Sequence, residues 1–121
     1  MYRSLLGGAA ALALSAGIAQ AGSHLQFAPG DGPFSWDSYN EWAGSAPDLS
    51  GQTVTISGPW LQPEDDAFRK VIAYFADATG AEVIYTGSDS FEQNIVIDAE
   101  AGAAANISVF PQPGLASDMA S

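Results

Sequence analysis

The chain reads as an α/β fold built on a parallel sheet, because residues 52–114 run strand, helix, strand, helix, strand, the order that wraps helices around parallel strands. Three observations predict it. The β-branched run Thr53, Val54, Thr55 and Ile56 favours a strand over residues 52–60, and Gly58-Pro59 stops it. Phe68, Val71, Ile72 and Phe75 then recur at i, i+3, i+4 and i+7, the spacing of a helix that commits one face to a core. Two further apolar strands follow, residues 82–86 with Val83, Ile84 and Tyr85, and residues 107–110. Ligands on parallel sheets of this kind bind outside the carboxyl ends of the strands. That places function on the loops at Gly58-Pro59-Trp60, Gly87-Ser88-Asp89 and Pro111-Gln112-Pro113.

Residues 1–21 read as a secretory signal, with Arg3 as the positive region, an apolar stretch over residues 5–18 and a small-residue cleavage site at Ala19-Gln20-Ala21. The apolar stretch is shorter than the roughly 20 residues of a spanning helix. Export with cleavage after Ala21, into a bacterial periplasm, is the expectation. Residues 22–51 form an amino-terminal arm rich in Gly, Pro, Ser and aromatics. Within it Trp36, Tyr39, Trp42 and Ala43 suggest a short helix over residues 35–43 capped by Ser35, with the aromatics packing the arm onto a larger body.

Residues 52–121 form a partial α/β lobe. In its first helix Pro63 suits the opening turn, and Glu64, Asp65 and Asp66 complement the positive end of the dipole. Asp65 with Arg69 and Asp66 with Lys70 are i, i+4 pairs, and Gly80 suits a left-handed stop. Ser90 and Gln93 make a capping box for a helix over residues 91–102. Residues 115–121 open one more helix. Three parallel strands with two full helices leave sheet edges unpaired and make a small core, which predicts the front part of a longer protein whose second lobe is absent here.

The whole chain carries a formal charge of −11. Residues 1–21 hold Arg3, one of three basic residues, and none of the fourteen acidic ones, so the mature part has two against fourteen, −12. Arg69 and Lys70 alone cannot build the basic groove that nucleic acid requires, and anionic lipid would repel the surface. There is no cysteine for a disulfide or for lipid attachment. Phosphate-loop, serine-elbow and metal-ligand motifs are missing too, so no cofactor and no metal are expected. His24 reads as a solvated terminal residue, and the sequon-like Asn106-Ile107-Ser108 as a coincidence.

Trp60, at the end of a parallel strand, either plugs the top of the sheet or offers a flat apolar face to a ligand. Ser88, Asp89 and Gln112 on the facing loops either shape their turns or supply the few hydrogen-bonding groups that a sugar needs beside a stacking surface. The cluster Glu64, Asp65 and Asp66 has two readings as well, paired carboxylates for glycoside hydrolysis or helix capping.

Leu49-Ser50-Gly51-Gln52-Thr53-Val54-Thr55-Ile56-Ser57-Gly58-Pro59-Trp60, the segment Gly87-Ser88-Asp89-Ser90-Phe91-Glu92-Gln93 with residues 95–102, and residues 106–114 together resemble the amino-terminal lobe of periplasmic α-glucoside-binding proteins. The resemblance covers the chain from about His24. It implies the first lobe of a type II periplasmic binding protein, a non-enzymatic receptor that closes on an oligosaccharide such as sucrose, maltose or trehalose. It also implies delivery to the membrane permease of an ABC transporter. The binding residues it implies are Trp60, Glu64, Ser88, Asp89, Phe110 and Gln112. It departs from that pattern in lacking a second lobe, and a single lobe presents half a cleft. The alternatives are a secreted glycoside-processing enzyme acting through Glu64 and Asp65, and a single-lobe or flavodoxin-like α/β domain with no such ligand.

Overall fold

A computed structural model of the chain describes residues 25–121. The expected export signal, residues 1–21, and His24 lie outside the described residues. In chain order the elements are α1 (Asp37–Gly44), β1 (Thr53–Gly58), α2 (Glu64–Thr79), β2 (Glu82–Gly87), α3 (Phe91–Glu100), β3 (Ile107–Ser108) and α4 (Pro113–Met119). The sheet is parallel throughout, in the order β2-β1-β3. The expected α/β architecture is what the chain adopts.

β1 and β2 pair in register from Thr53 opposite Glu82 to Gly58 opposite Gly87, so both strands end at one level. The register sets Val54, Ile56 and Gly58 beside Val83, Tyr85 and Gly87 on one face, since side chains alternate along a strand. β3 is shorter than the predicted residues 107–110. Past Ser108 only the Val109 amide continues the pairing, donating to the Ser57 carbonyl at 2.8 Å, and Pro111 has no amide to carry it on. Asn106 fastens the start of β3 to β1. Its Oδ1 accepts from the Thr55 amide at 2.9 Å and from Thr55 Oγ1 at 3.0 Å, and its own amide donates to Thr55 Oγ1.

α2 opens on Glu64, with Pro63 just before it rather than inside its first turn. Pro63 has ψ near 1°, off the helical value, so the helix takes its geometry from the next residue. Asp65 and Thr79 are buried at its two ends and Phe68, Ile72 and Ala76 lie half-buried between them, which traces the inner stripe. Val71 was expected in the core and is 67% exposed, because it sits about 100° around the helix from Ile72. Arg69 Nε donates to Asp65 Oδ2 at 3.0 Å as anticipated. The pair expected between Asp66 and Lys70 is replaced by Gln62 Nε2, which donates to Asp66 Oδ1. Gly80 closes the helix at φ 74°, its amide donating to the Ala76 carbonyl.

Two predicted caps do not form. Ser90 precedes α3, but its hydroxyl donates to Asp89 Oδ1 instead of reaching back to the helix. Trp36, not Ser35, flanks α1, its indole donating to the Asp31 carbonyl at 2.7 Å. Both serine hydroxyls turn to a neighbouring carboxylate, Ser35 to Asp37 Oδ2 and Ser90 to Asp89 Oδ1, and neither accepts from the amides of its helix. α3 ends at Glu100, two residues early, and α4 begins at Pro113, two residues before the predicted start.

The arm packs against α2 through Tyr74 and Phe75. The Trp42 ring stacks on Phe75, 6.0 Å between centroids and 22° between planes. Tyr74 Oη donates to the Phe27 carbonyl at 2.7 Å and accepts from the Phe27 amide at 3.1 Å. Tyr39 donates to the Tyr74 carbonyl, and burial, then the Asp77 carboxylate and Tyr74, hold its phenol above the ordinary value. The core under this layer consists of Ile56, Ala81, Tyr85, Phe91 and Ile95. Parallel crossovers are right-handed, which sets α2 and α3 on opposite faces of β1. No helix among the described residues is long and apolar enough to cross a membrane.

Candidate functional site

Because β1 and β2 end level, the loops that follow them start side by side. The Ser88 amide donates to the Gly58 carbonyl at 3.0 Å, tying the second loop to the end of the first strand. The Ser88 hydroxyl accepts from the Ser90 amide and from Asn94 Nδ2, both at 3.1 Å. It therefore shapes the loop and start of α3. Asp89, next along, is exposed.

A depression of about 210 Å³ opens where the three loops meet, lined by Pro59, Pro111 and the run from Asp89 to Gln93. It draws on the carboxyl ends of all three strands. Phe91 is 3% exposed and meets Phe110 edge to face at 5.4 Å, so Phe110 supports the depression from behind. Gln112 is exposed on the third loop and lies outside the lining.

Trp60 turns the other way, over α2. Its ring lies 4.9 Å from Phe68 and 6.3 Å from Tyr85, and it shares a groove of about 400 Å³ with Glu64, Ala67, Phe68 and Val71. The ring is half-buried: one part packs against Phe68 and Tyr85, and the rest faces the groove. One part of the indole thus plugs the end of the sheet, and another part lines the groove. Glu64 is exposed at the groove's edge.

Five of the six predicted residues thus fall into three sets, Trp60 with Glu64 in one groove, Asp89 in the neighbouring depression, and Ser88 and Phe110 behind it as supports, while Gln112 lies outside both linings. Pro59 belongs to the lining on one side and is bonded to Trp60, so the two concavities adjoin. Ser90, Phe91, Gln93 and Tyr85 are not among the site residues that the sequence suggests. The available signal was Tyr85 itself, since a buried tyrosine needs a partner for its hydroxyl.

The arrangement suits an apolar ring face against the indole, with carboxylates to accept hydroxyl hydrogen bonds. It does not suit paired-carboxylate hydrolysis. Glu64 points to solvent, while Asp65 is buried and bound to Arg69, and consecutive helical residues diverge by about 100°. No group of three or more His, Cys, Asp or Glu among the described residues could hold a metal.

The chain is 46% identical over 126 aligned residues to the alpha-glucosides-binding periplasmic protein AglE of Rhizobium meliloti, covering 99% of this chain and 27% of that protein. It is 37% identical over 73 residues to the osmoprotective compounds-binding protein GgtB of Synechocystis sp., covering 60% of this chain and 17% of that protein. The chain thus spans about a quarter or less of the curated relatives it matches. The resemblance to periplasmic α-glucoside-binding proteins is borne out, and both relatives are binding proteins by name. No protein-family model matches the chain, and no solved structure does.

Proposed function

We propose that this chain contributes the first lobe of a periplasmic solute-binding protein that captures an α-glucoside and presents it to an ABC permease. In this reading Trp60 stacks on the apolar face of a glucose ring, and Glu64 and Asp89 accept hydrogen bonds from its hydroxyls. Ser88 and Phe110 hold the second and third loops in place, and Gln112 meets the ligand from the third loop. A second lobe closes the other side of the cleft. Residues 1–21 direct export and are removed after Ala21.

The observation that carries the reading is the half-exposed indole of Trp60 beside a free carboxylate at the carboxyl end of a parallel strand. An aromatic face with nearby carboxylates matches the two-sided chemistry of a sugar, apolar on its C–H faces and polar around its rim. The identity to an α-glucoside-binding protein supports the same ligand class.

Calorimetric titration of maltose, sucrose and trehalose into the two-lobed protein tests it. At least one sugar should bind, and Trp60→Ala should weaken that binding at least tenfold, a loss of about 1.4 kcal/mol. A protein that binds none of the three ends the α-glucoside claim, and sugar binding that survives Trp60→Ala removes Trp60 from the site.

A further inference from the structure

Resting on the reading of Trp60 as the sugar platform, we infer that Tyr85 is the positioning residue of the site, its hydroxyl clamping the main chain of Trp60. The Trp60 amide donates to Tyr85 Oη at 2.9 Å, and Tyr85 Oη donates to the Trp60 carbonyl at 3.1 Å. A phenol has one hydrogen and two lone pairs, so one hydroxyl can serve both groups. The paired ladder of β1 and β2 ends two residues earlier, at Gly58 and Gly87. Beyond it, this hydroxyl stands in for the missing strand. Holding the amide and the carbonyl of one residue constrains its two backbone dihedrals, and with them the direction in which the indole leaves the chain.

The clamp is built on both sides. The Tyr85 ring is 3% exposed, with Phe68 edge-on at 4.9 Å and the Arg69 guanidinium 5.4 Å from its centroid. Arg69 Nη2 donates to the Tyr85 carbonyl at 3.0 Å, and Arg69 is itself held by buried Asp65. The hydroxyl reaches Trp60 along a lane kept clear by glycine. A Cβ at residue 58 would stand 2.9 Å from Tyr85 Oη, and one at residue 87 would run into the Trp60 carbonyl. Phenylalanine would fill the same space and make neither bond, so the hydroxyl's role is separable from the ring's.

The test compares the two-lobed protein with its Tyr85→Phe and Trp60→Ala variants in titrations with maltose, sucrose and trehalose. It adds the emission of Trp60 without ligand, read in a background in which every other tryptophan of the two-lobed protein, Trp36 and Trp42 among them, is replaced by phenylalanine. Tyr85→Phe is expected to weaken binding of the preferred sugar about tenfold. It should also shift Trp60 emission to the red, while far-ultraviolet circular dichroism stays that of the parent. A purely structural hydroxyl would lower the melting temperature and leave affinity and emission alone. Affinity within twofold of the parent, with Trp60→Ala abolishing binding, would overturn the clamp and spare the sugar site. Unchanged binding in Trp60→Ala would overturn both. The emission is read without sugar, so an unchanged spectrum in Tyr85→Phe overturns the clamp whichever ligand binds. Should Tyr85→Phe not fold, Arg69→Lys decides: it keeps a charge for Asp65 but loses the fork that also holds the Tyr85 carbonyl. Parental affinity in that variant counts against the clamp, and a severalfold loss supports it.

Discussion

A methyl group at residue 87 would meet the main-chain carbonyl of Trp60, so the chain needs glycine there although its strand-end position makes no special demand for one. Gly87→Ala should push the Trp60 loop outward, break the two bonds to Tyr85 and cost about 3 kcal/mol, as overpacking does when the obstacle is backbone. Chemical denaturation followed by circular dichroism measures that loss, and a change under about 0.5 kcal/mol would mean that the loop moves freely. Trp60 could be read from the sequence because a bulky aromatic after Gly-Pro marks a strand's end. Its orientation could not be read so, since Tyr85 and Phe68 set it from 25 and 8 positions along the chain. Glu64 and Asp65 show the same limit. Both are acidic and adjacent, yet one is exposed and the other is buried against Arg69, a difference set by which side of the helix the sheet covers.

α2 works on two sides. Its inner stripe, from Asp65 to Thr79, faces the sheet, and Phe75 at the flank of that stripe, with Tyr74 beside it, receives the arm. The helical period of the sequence announced the element and its length. It assigned Val71 to the core because periodicity locates an apolar stripe without saying which part of it the sheet covers. The arm is held by aromatic contacts and a few hydrogen bonds, with no strand pairing among the described residues. Trp42→Ala removes the ring that stacks on Phe75 and should free the arm: limited proteolysis within residues 25–51 becomes at least several times faster. The cost in global stability should be about 1 kcal/mol, the worth of an aromatic pair beyond its buried area. Equal cleavage rates in parent and variant would assign the arm's attachment to Tyr74 and Tyr39. The short β3 follows a similar logic. Its residues were legible as strand formers, but Asn106 before it and Pro111 after it set how much of the ladder closes.

At the scale of the molecule, five buried apolar residues make the core of the described chain, while Val71, Ile84, Ile97 and Ile107 are 42–67% exposed. A core this small sustains little cooperative enthalpy. The 121-residue chain alone should therefore bind a hydrophobic dye and show a broad, low-enthalpy transition in calorimetry, and the two-lobed protein should show a sharp transition with little dye bound. A sharp transition of the isolated chain, without dye binding, would mark it as a self-sufficient domain. By itself the sequence determined the kinds of element, their order, the parallel sheet and which loops follow the carboxyl ends of its strands. Those follow from local periodicity, β-branched runs and turn residues, which act within a few positions of one another. The tertiary structure decided which acidic residues are free, which predicted caps form, how far β3 pairs, and that Tyr85 holds Trp60. Each of these depends on register and on contacts between residues far apart in the chain, where competing partners close in space override local preference.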